Sequence, residues 1–549
     1  MDRQKSILLI YPPVGVLSEP PAGIARLAGF LHACGVDCSS LDLNVAAMTM
    51  IAQNTAAGTS RSITDRKTSD AISNPAVAGV GDGAQDDTQD DTWTRRAKKH
   101  LSANLVALQN AAVYKNPDRY RRAVTDINRV LHAAGRNAGL TLSLSDYAEP
   151  DRSPVRSRDL HDAARNYQDN LFFPFFEPVI AEVLADRSVD IVGISVGFMS
   201  QALCAAALAG FIRRIAPEIR IVFGGGLITS WMHLPGFSNP LAGFADEMIS
   251  GPGEEPLARM CGITGLETDF APPGAPYDFA SPDPASYLSP VPVLPVSASD
   301  GCYWRKCAFC PERAEKRRYR SFAPSALAGQ YETGAGQSKQ SGLIHFLDNS
   351  LTPAFMKHLA GHPPEIPWYG FTRITEHLAD PDFTRALARS GCVMLQLGIE
   401  SGDQAVLDAM EKGTSVETAS RVLKSLRAAS ISVYGYFLFG TPAETEVSAN
   451  RTKAFIRSHA EYIDFLNLAI FNLPVRCDKM EDLETRSFYD GDLSLYREFV
   501  HPQGWSRNRV RRFLQKSVGS DEVIRRIMLN DPPFFTSRHA PFFKMFSGI

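Results

Sequence analysis

The chain has 549 residues, 44% hydrophobic and 21% charged, with a formal net charge of −3. That length exceeds one ordinary core, so at least two domains are expected. The charge excludes the global basic field that draws a protein to nucleic acid or to an anionic membrane.

The N-terminal run SILLIY (6–11) is too short for a signal peptide and is closed by Pro12 and Pro13. No apolar run approaches the roughly 18 residues of a membrane span. The cytoplasm, where thiols stay reduced, is the expected compartment. Residues 6–11 read as a buried parallel strand. Ile24, Leu27, Ala28 and Leu31 share a helical face that Gly35 closes, and 36–43 is a second strand. Residues 52–92 are small, polar and acidic and predict a disordered insertion. Residues 93–148 predict a helical insertion, with a Pro/Arg/Asp-rich linker near 149–158. Alternation resumes with a strand at 190–196, a helix at 201–215, a strand at 220–224 and a short strand at 246–250. The expected fold class is α/β, opening with a doubly wound (Rossmann-like) sheet over 1–262. In such sheets ligands lie beyond the carboxyl ends of the strands.

Residues 263–292 are a Pro-rich linker. Residues 293–470 give six more strand–helix units, with strands at 293–298, 343–347, 366–371, 393–399, 431–439 and 463–469. These predict a partial (β/α)6 TIM-type barrel with its chemistry at the strand C-termini. An α-rich extension over 471–549 follows. In it, WSRNRVRRFLQK reads as a basic helix with a solvated face. PPFFTSRHAPFF either packs on the barrel or helps to close a substrate pocket with His539.

Of nine cysteines, Cys34, Cys38, Cys204, Cys261, Cys392 and Cys477 are scattered and read as small buried hydrophobes. Cys302, Cys307 and Cys310 stand as C-x4-C-x2-C in a loop after the first barrel strand. Three thiolates in one loop suit three corners of a 4Fe–4S cluster and leave one iron open for a ligand. Zinc needs a fourth ligand that the loop lacks.

This loop resembles the cluster motif of the radical S-adenosylmethionine (SAM) superfamily, with one extra residue between the first two cysteines. Phe309 matches the aromatic beside the SAM adenine. FLDNS (346–350) is similar to the segment that meets the methionine end, which implies that role for Asp348 and Asn349. LGIESG (397–402) implies a SAM contact for Glu400, and YGYFLFGTPAET (434–445) implies contacts at Gly435, Gly440 and Glu444.

The N-terminal half resembles the cobalamin-binding domain that precedes many such barrels. The resemblance implies corrin-facing positions at Pro13, Ser195, Gly224, Gly225, Gly226, Gly251, Gly253 and Glu254. The D-x-H-x-x-G loop that supplies a cobalt-ligating His in other cobalamin domains is absent after the first strand. Asp159 and His161 imitate it from the linker, and His161 reads as a surface residue.

The resemblance implies three cofactors, a 4Fe–4S cluster, SAM and cobalamin, and a low-potential electron donor of flavodoxin or ferredoxin type. The implied reaction is functionalisation of an unactivated carbon by C-methylation. The alternatives are a radical rearrangement or cyclisation without methyl transfer, or a non-catalytic iron–sulfur or cobalamin-binding protein. The substrate class stays open between a small molecule and a peptide. Aromatic–basic interleaving of the nucleic-acid-platform kind is not seen.

Overall fold

The computed structural model describes residues 5–59, 90–186, 188–263, 277–279, 284–315, 318–323 and 342–547. The N-terminal layer contains β1 (Ile7–Tyr11), α1 (Ala22–Ala33), β2 (Cys38–Asp42), α2 (Asn44–Ala57), α3 (Pro117–Asn137), β3 (Ile191–Ser195), α4 (Met199–Ile215), β4 (Arg220–Gly224), α5 (Gly226–Met232), β5 (Glu247–Met248) and α6 (Glu254–Met260). The strands are parallel in the order β2-β1-β3-β4-β5. β1 is apolar throughout and buried at every position, as a central parallel strand requires. Strand order reverses between β1 and β3, so their carboxyl ends frame a crevice.

The expected insertion at 52–92 begins later than its composition suggests. α2 runs to Ala57 and buries Ile51, Ala52 and Thr55, and residues 60–89 lie outside the described residues. α3 opens with Asn116, whose side chain accepts from Arg119 N at 3.0 Å, and with Pro117 in the first turn. It adds Tyr120, Val124, Ile127 and Leu131 to the core. The 149–158 segment is not a loose linker. Arg152 binds Glu149, Asp162 and Asp169 at 3.1, 2.7 and 3.3 Å, and Val155 is buried. His161 is half-buried, with its ring edge on Phe244.

The second sheet holds β6 (Val293–Val296), β7 (Leu343–Phe346), β8 (Trp368–Arg373), β9 (Cys392–Glu400), β10 (Ser432–Phe439) and β11 (Phe465–Ile470), all parallel in chain order. Helices α7 (Pro353–Gly361), α8 (Pro381–Arg389), α9 (Val416–Ala428) and α10 (Glu446–Ser458) cover the outside. Thr352, Asp380, Ser415 and Thr445 cap their N-termini. Alternation along β10 sorts its side chains. Val433, Phe437 and Phe439 pack with Val422, Leu426 and Ile456 of the outer helices. Tyr434 and Tyr436 face the lumen, where Tyr436 meets Phe371 edge-on at 5.4 Å and accepts from Gln396 Nε2 at 3.4 Å. β6 and β11 are the edges of this open barrel.

The extension is less purely helical than expected. It contains a small antiparallel sheet (Leu473–Pro474, Thr485–Ser487, Tyr496–Phe499) before α11 (Arg507–Phe513) and α12 (Ala540–Ser547). Arg509, Arg511 and Arg512 are exposed on the solvated face expected of α11, whereas Arg507 is half-buried and donates to Phe471 O at 3.1 Å and Asn472 Oδ1 at 2.7 Å. The aromatic tail packs instead of lining a pocket. Phe542 and Phe543 are buried against Tyr114, and His539 is fully enclosed, stacked on Phe535 at 3.9 Å. Arg538 donates to Glu19 at 2.9 Å, and Glu19 also pairs with His345 at 2.8 Å. The loop after β1 is thereby clamped to the barrel, and one core cluster runs from Leu8 through Tyr369 to Phe542.

Candidate functional site

Cys302, Cys307 and Cys310 sit in the loop between Asp300 and a short helical turn at Pro311–Ala314. Burial pushes the Cys307 thiol up, and burial together with the nearby Cys307, Glu312 and Cys302 carries the Cys310 thiol to about 11. Such thiols are inert until a metal takes them as thiolates. Among the described residues, no three His, Cys, Asp or Glu side chains are set around a single metal ion. A cubane binds its thiolates at separate irons, so three cysteines of one loop can serve it without such convergence.

The loop is held from inside the barrel. Arg373, at the end of β8, donates Nη1 to Cys307 Sγ at 3.4 Å and Nη2 to the Lys412 carbonyl. Its guanidinium lies 4.1 Å from the Trp304 ring centroid, and Trp304 Nε1 donates to Glu411 O at 3.0 Å. Gly413, at φ +67°, admits that indole; a Cβ there would lie 2.0 Å from the ring. At the end of β9, Glu400 adopts φ +66° and receives Lys412 Nζ at 2.7 Å. The pair is almost wholly enclosed, at 4% and 11% side-chain exposure for Lys412 and Glu400. Lys412 Nζ also stands 5.8 Å from the Phe309 ring. A cation, a carboxylate and an aromatic ring thus converge beside the cysteines, the donor set for a zwitterionic ligand with a flat base.

The second feature is a cavity of about 210 Å³ at the carboxyl ends of β1, β3 and β4, between α1 and α6. Ser195, Gly224, Gly225, Gly226, Gly251, Gly253 and Glu254 all line it. A Cβ at Gly224, Gly226 or Gly251 would meet nothing within 4 Å, so these glycines leave open room. Pockets enclosing whole drug-sized ligands run to ~300–1,000 Å³. This one suits a flat heterocyclic arm of a larger cofactor whose body lies outside. Arg26 closes its rim. Its Nε contacts Glu254 at 2.6 Å, while Nη1 and Nη2 reach Asp300 at 2.9 and 3.3 Å, two residues before Cys302. The cavity wall and the cysteine loop therefore share one arginine.

Residues 296–456 match the Radical SAM superfamily. The barrel is a radical SAM domain. The chain is 26% identical over 226 residues to a bacteriochlorophyllide d C-12(1)-methyltransferase of Chlorobaculum tepidum, covering 39% of this chain and 48% of that protein. It is 25% identical over 154 residues to an anaerobic magnesium-protoporphyrin IX monomethyl ester cyclase of Cereibacter sphaeroides, covering 27% and 25% respectively. The matches thus span about half of the first relative and a quarter of the second. The structure of the cobalamin-dependent SAM radical enzyme OxsB with aqua-cobalamin aligns with a TM-score of 0.50 at 11% identity, over 90% of this chain and 64% of that one, which establishes the shared fold.

Around this radical SAM domain the anticipated residues divide. Phe309 lies within the cysteine loop and Glu400 beside it, as described. Asp348 is buried and braces the end of β6, accepting from Ala298 N at 2.8 Å and from Ser299 Oγ, while Asn349 is exposed. Gly435 faces the outer layer, where a Cβ would meet Phe437 and Ile399. Glu444 is fully enclosed; it accepts from Gly440 N and from Trp505 Nε1 at 2.9 Å, so it locks its own loop instead of facing a ligand. Gly440 takes φ +81° beneath Val510. Pro13 is buried outside the cavity lining. Cys38, Cys204, Cys261 and Cys392 are buried as expected, but Cys34 is half-buried, and Cys477 donates to Ala308 O at 3.1 Å inside the cysteine loop. Arg26, Arg373 and Lys412 were not anticipated. The sequence offered one clue, a Lys-Gly pair (412–413) following the LGIESG segment.

Proposed function

We propose that the chain is a cobalamin-dependent radical SAM enzyme that methylates an unactivated carbon. The carrying observation is the juxtaposition of the two sites, with Arg26 in the wall of a switch-point cavity and in an ion pair with Asp300 of the cluster loop. When bound, cluster and SAM together supply one-electron chemistry at carbon, and cobalamin supplies a transferable methyl group.

The protein's own part is holding and orienting. Cys302, Cys307 and Cys310 hold the cluster, and the Arg373 hydrogen bond to Cys307 stabilises negative charge on that sulfur. Lys412 and Glu400 offer opposite charges to the carboxylate and amino ends of an amino-acid ligand, and Phe309 offers a face for its base. Enclosure strengthens these contacts and keeps water from a reactive centre. Ser195, the three consecutive glycines and Glu254 seat the arm of cobalamin.

The named activities of the relatives support this reading, and they include a cyclase as well as a methyltransferase. Ring formation without methyl transfer is therefore the second reading. The test is anaerobic reconstitution with iron, sulfide and hydroxocobalamin, then SAM and reductant, with 5′-deoxyadenosine and S-adenosylhomocysteine quantified. Both products, lost in Cys307→Ala, support methylation. Deoxyadenosine alone moves the assignment to cyclisation or rearrangement, and zinc in place of iron overturns both.

A further inference from the structure

The end of the chain makes the floor of the barrel. Phe535, Phe542 and Phe543 share one core cluster with Tyr369, Tyr434 and Phe465 of the strands, and all six are buried, so that end of the lumen is closed. Arg538 lies between these aromatics in the chain and differs from them, with 33% of its side chain exposed. Its surroundings are enclosed. Nε donates to Glu19, whose side chain is 5% exposed, and the guanidinium charge acts on the Tyr11 and Tyr369 phenols, both buried. The exposed third therefore opens into an internal space. The charge also reaches Tyr436. Tyr436 and Phe371 face the lumen and are only half-buried, although β8 and β10 are central strands. A central strand covered outside by helices can expose a side chain only on its inner face, so the lumen above Arg538 is hollow.

Among the described residues, Arg538 Nη1 and Nη2 have no hydrogen-bond acceptor. With Nε fixed by Glu19, that free edge is a rigid fork matched to a carboxylate. Glu19 already offsets one positive charge, so the remaining attraction suits a monoanion. Donors left without a partner in an enclosed space cost free energy, which an anion would recover. The hollow also leads towards the chemistry. Arg373, which touches Cys307 Sγ at 3.4 Å, lies four residues beyond Tyr369 on β8, ~13 Å at ~3.3 Å per residue. Leu438, half-buried two residues beyond Tyr436, packs on the same Val406–Leu407–Met410 cluster as Phe309. The space between floor and cysteine loop is thus the length of one small molecule.

We propose that Arg538 anchors the substrate, and that the substrate is a small organic acid. Its carboxylate binds the free edge of Arg538, its apolar body lies between Phe371 and Leu438, and the carbon to be functionalised is the end remote from the carboxylate, towards the cysteine loop. This gives a substrate class to the enzyme proposed above and rests on that reading, and the test separates the two.

The experiment is calorimetric titration of the reconstituted full-length protein with 5-phenylpentanoate and with its uncharged amide, 5-phenylpentanamide. The wild type should bind the acid about tenfold or more tighter than the amide. Arg538→Gln should erase that preference, and Arg538→Lys, which keeps the charge without the fork, should fall between. Because Arg538→Gln leaves Glu19 short of a partner, the double variant Glu19→Gln, Arg538→Gln removes both charges together and should also show no preference. Labelling of the wild type with phenylglyoxal, read by peptide mass spectrometry, needs no variant; Arg538 should react, and the acid but not the amide should protect it. Equal binding of acid and amide by the wild type, a preference that survives in the double variant, or labelling that the acid leaves unchanged overturns the anchor. The enzyme reading is scored on separate products. A protein that forms 5′-deoxyadenosine and S-adenosylhomocysteine yet shows no acid preference keeps that reading and loses the anchor. One that prefers the acid and forms neither product keeps the acid site and loses the reaction.

Discussion

Lys412 and Glu400 are enclosed together, so each depends on the other. Removing one partner of a buried pair leaves an uncompensated charge, at a cost of about 3–5 kcal/mol. Lys412→Met should therefore lower stability by that order in urea unfolding, and it should abolish SAM binding measured by equilibrium dialysis. Glu444 gives a pH signature. Burial lifts it from its ordinary value near 4.5 to about 7, so the folded state binds a proton that the unfolded state releases. Its stabilising contribution is full below about pH 4.5 and is lost as pH climbs through 7, on the order of 3 kcal/mol at about 1.4 kcal/mol per pH unit. Glu444→Gln should flatten that segment of the stability–pH curve and be the more stable protein at pH 8. At this scale the sequence was half legible. Cys302, Cys307 and Cys310 declare themselves because their spacing alone places three sulfurs in one loop. Arg26, Arg373 and Lys412 do not, because their partners lie elsewhere in the chain and a lone helical arginine looks like any solvated charge.

The strands were the most readable elements. Continuous apolar runs such as ILLIY and IVGIS have few other uses, and the described strands fall within two or three residues of the expected ones. The proposed cobalamin seat is built at this scale by the end of β4 and the turn after it, where Gly224 and Gly226 leave open space and Gly225, at φ +101°, turns the chain against the Val196 backbone. Gly224→Val should fill that space, lowering hydroxocobalamin uptake about tenfold or more, some 1.4 kcal/mol per decade, with the unfolding midpoint little changed. Visible absorbance after gel filtration reads the uptake. Sequence reasoning went astray on elements whose fate is decided by distant partners. Arg507 alone of the arginines of α11 turns in, donating just past the end of β11, and the 149–158 segment is pinned by Arg152, and neither bond leaves a periodic trace.

On the scale of the whole molecule, the sheet and the barrel are not independent bodies joined by a connector, because the C-terminal segment completes the core that they share. Truncation after Asn530 removes Phe535, Phe542 and Phe543. At about 3–5 kcal/mol per buried aromatic this exceeds much of a typical stability of 5–15 kcal/mol. The truncated chain should lose its cooperative thermal transition in circular dichroism. The linear order of domains was visible in composition and alternation, whereas their mutual packing was not, since Glu19, His345 and Arg538 meet only after folding. The Arg26 bridge bears on modularity. A sheet grafted from a relative onto this barrel imports whatever occupies the position of Arg26, and Asp300 then keeps only its pair with Arg320 at 3.0 Å. Lineages that shuffle these modules must exchange the two residues as a pair, so their covariation across homologues would be a historical record of which sheets and barrels have travelled together.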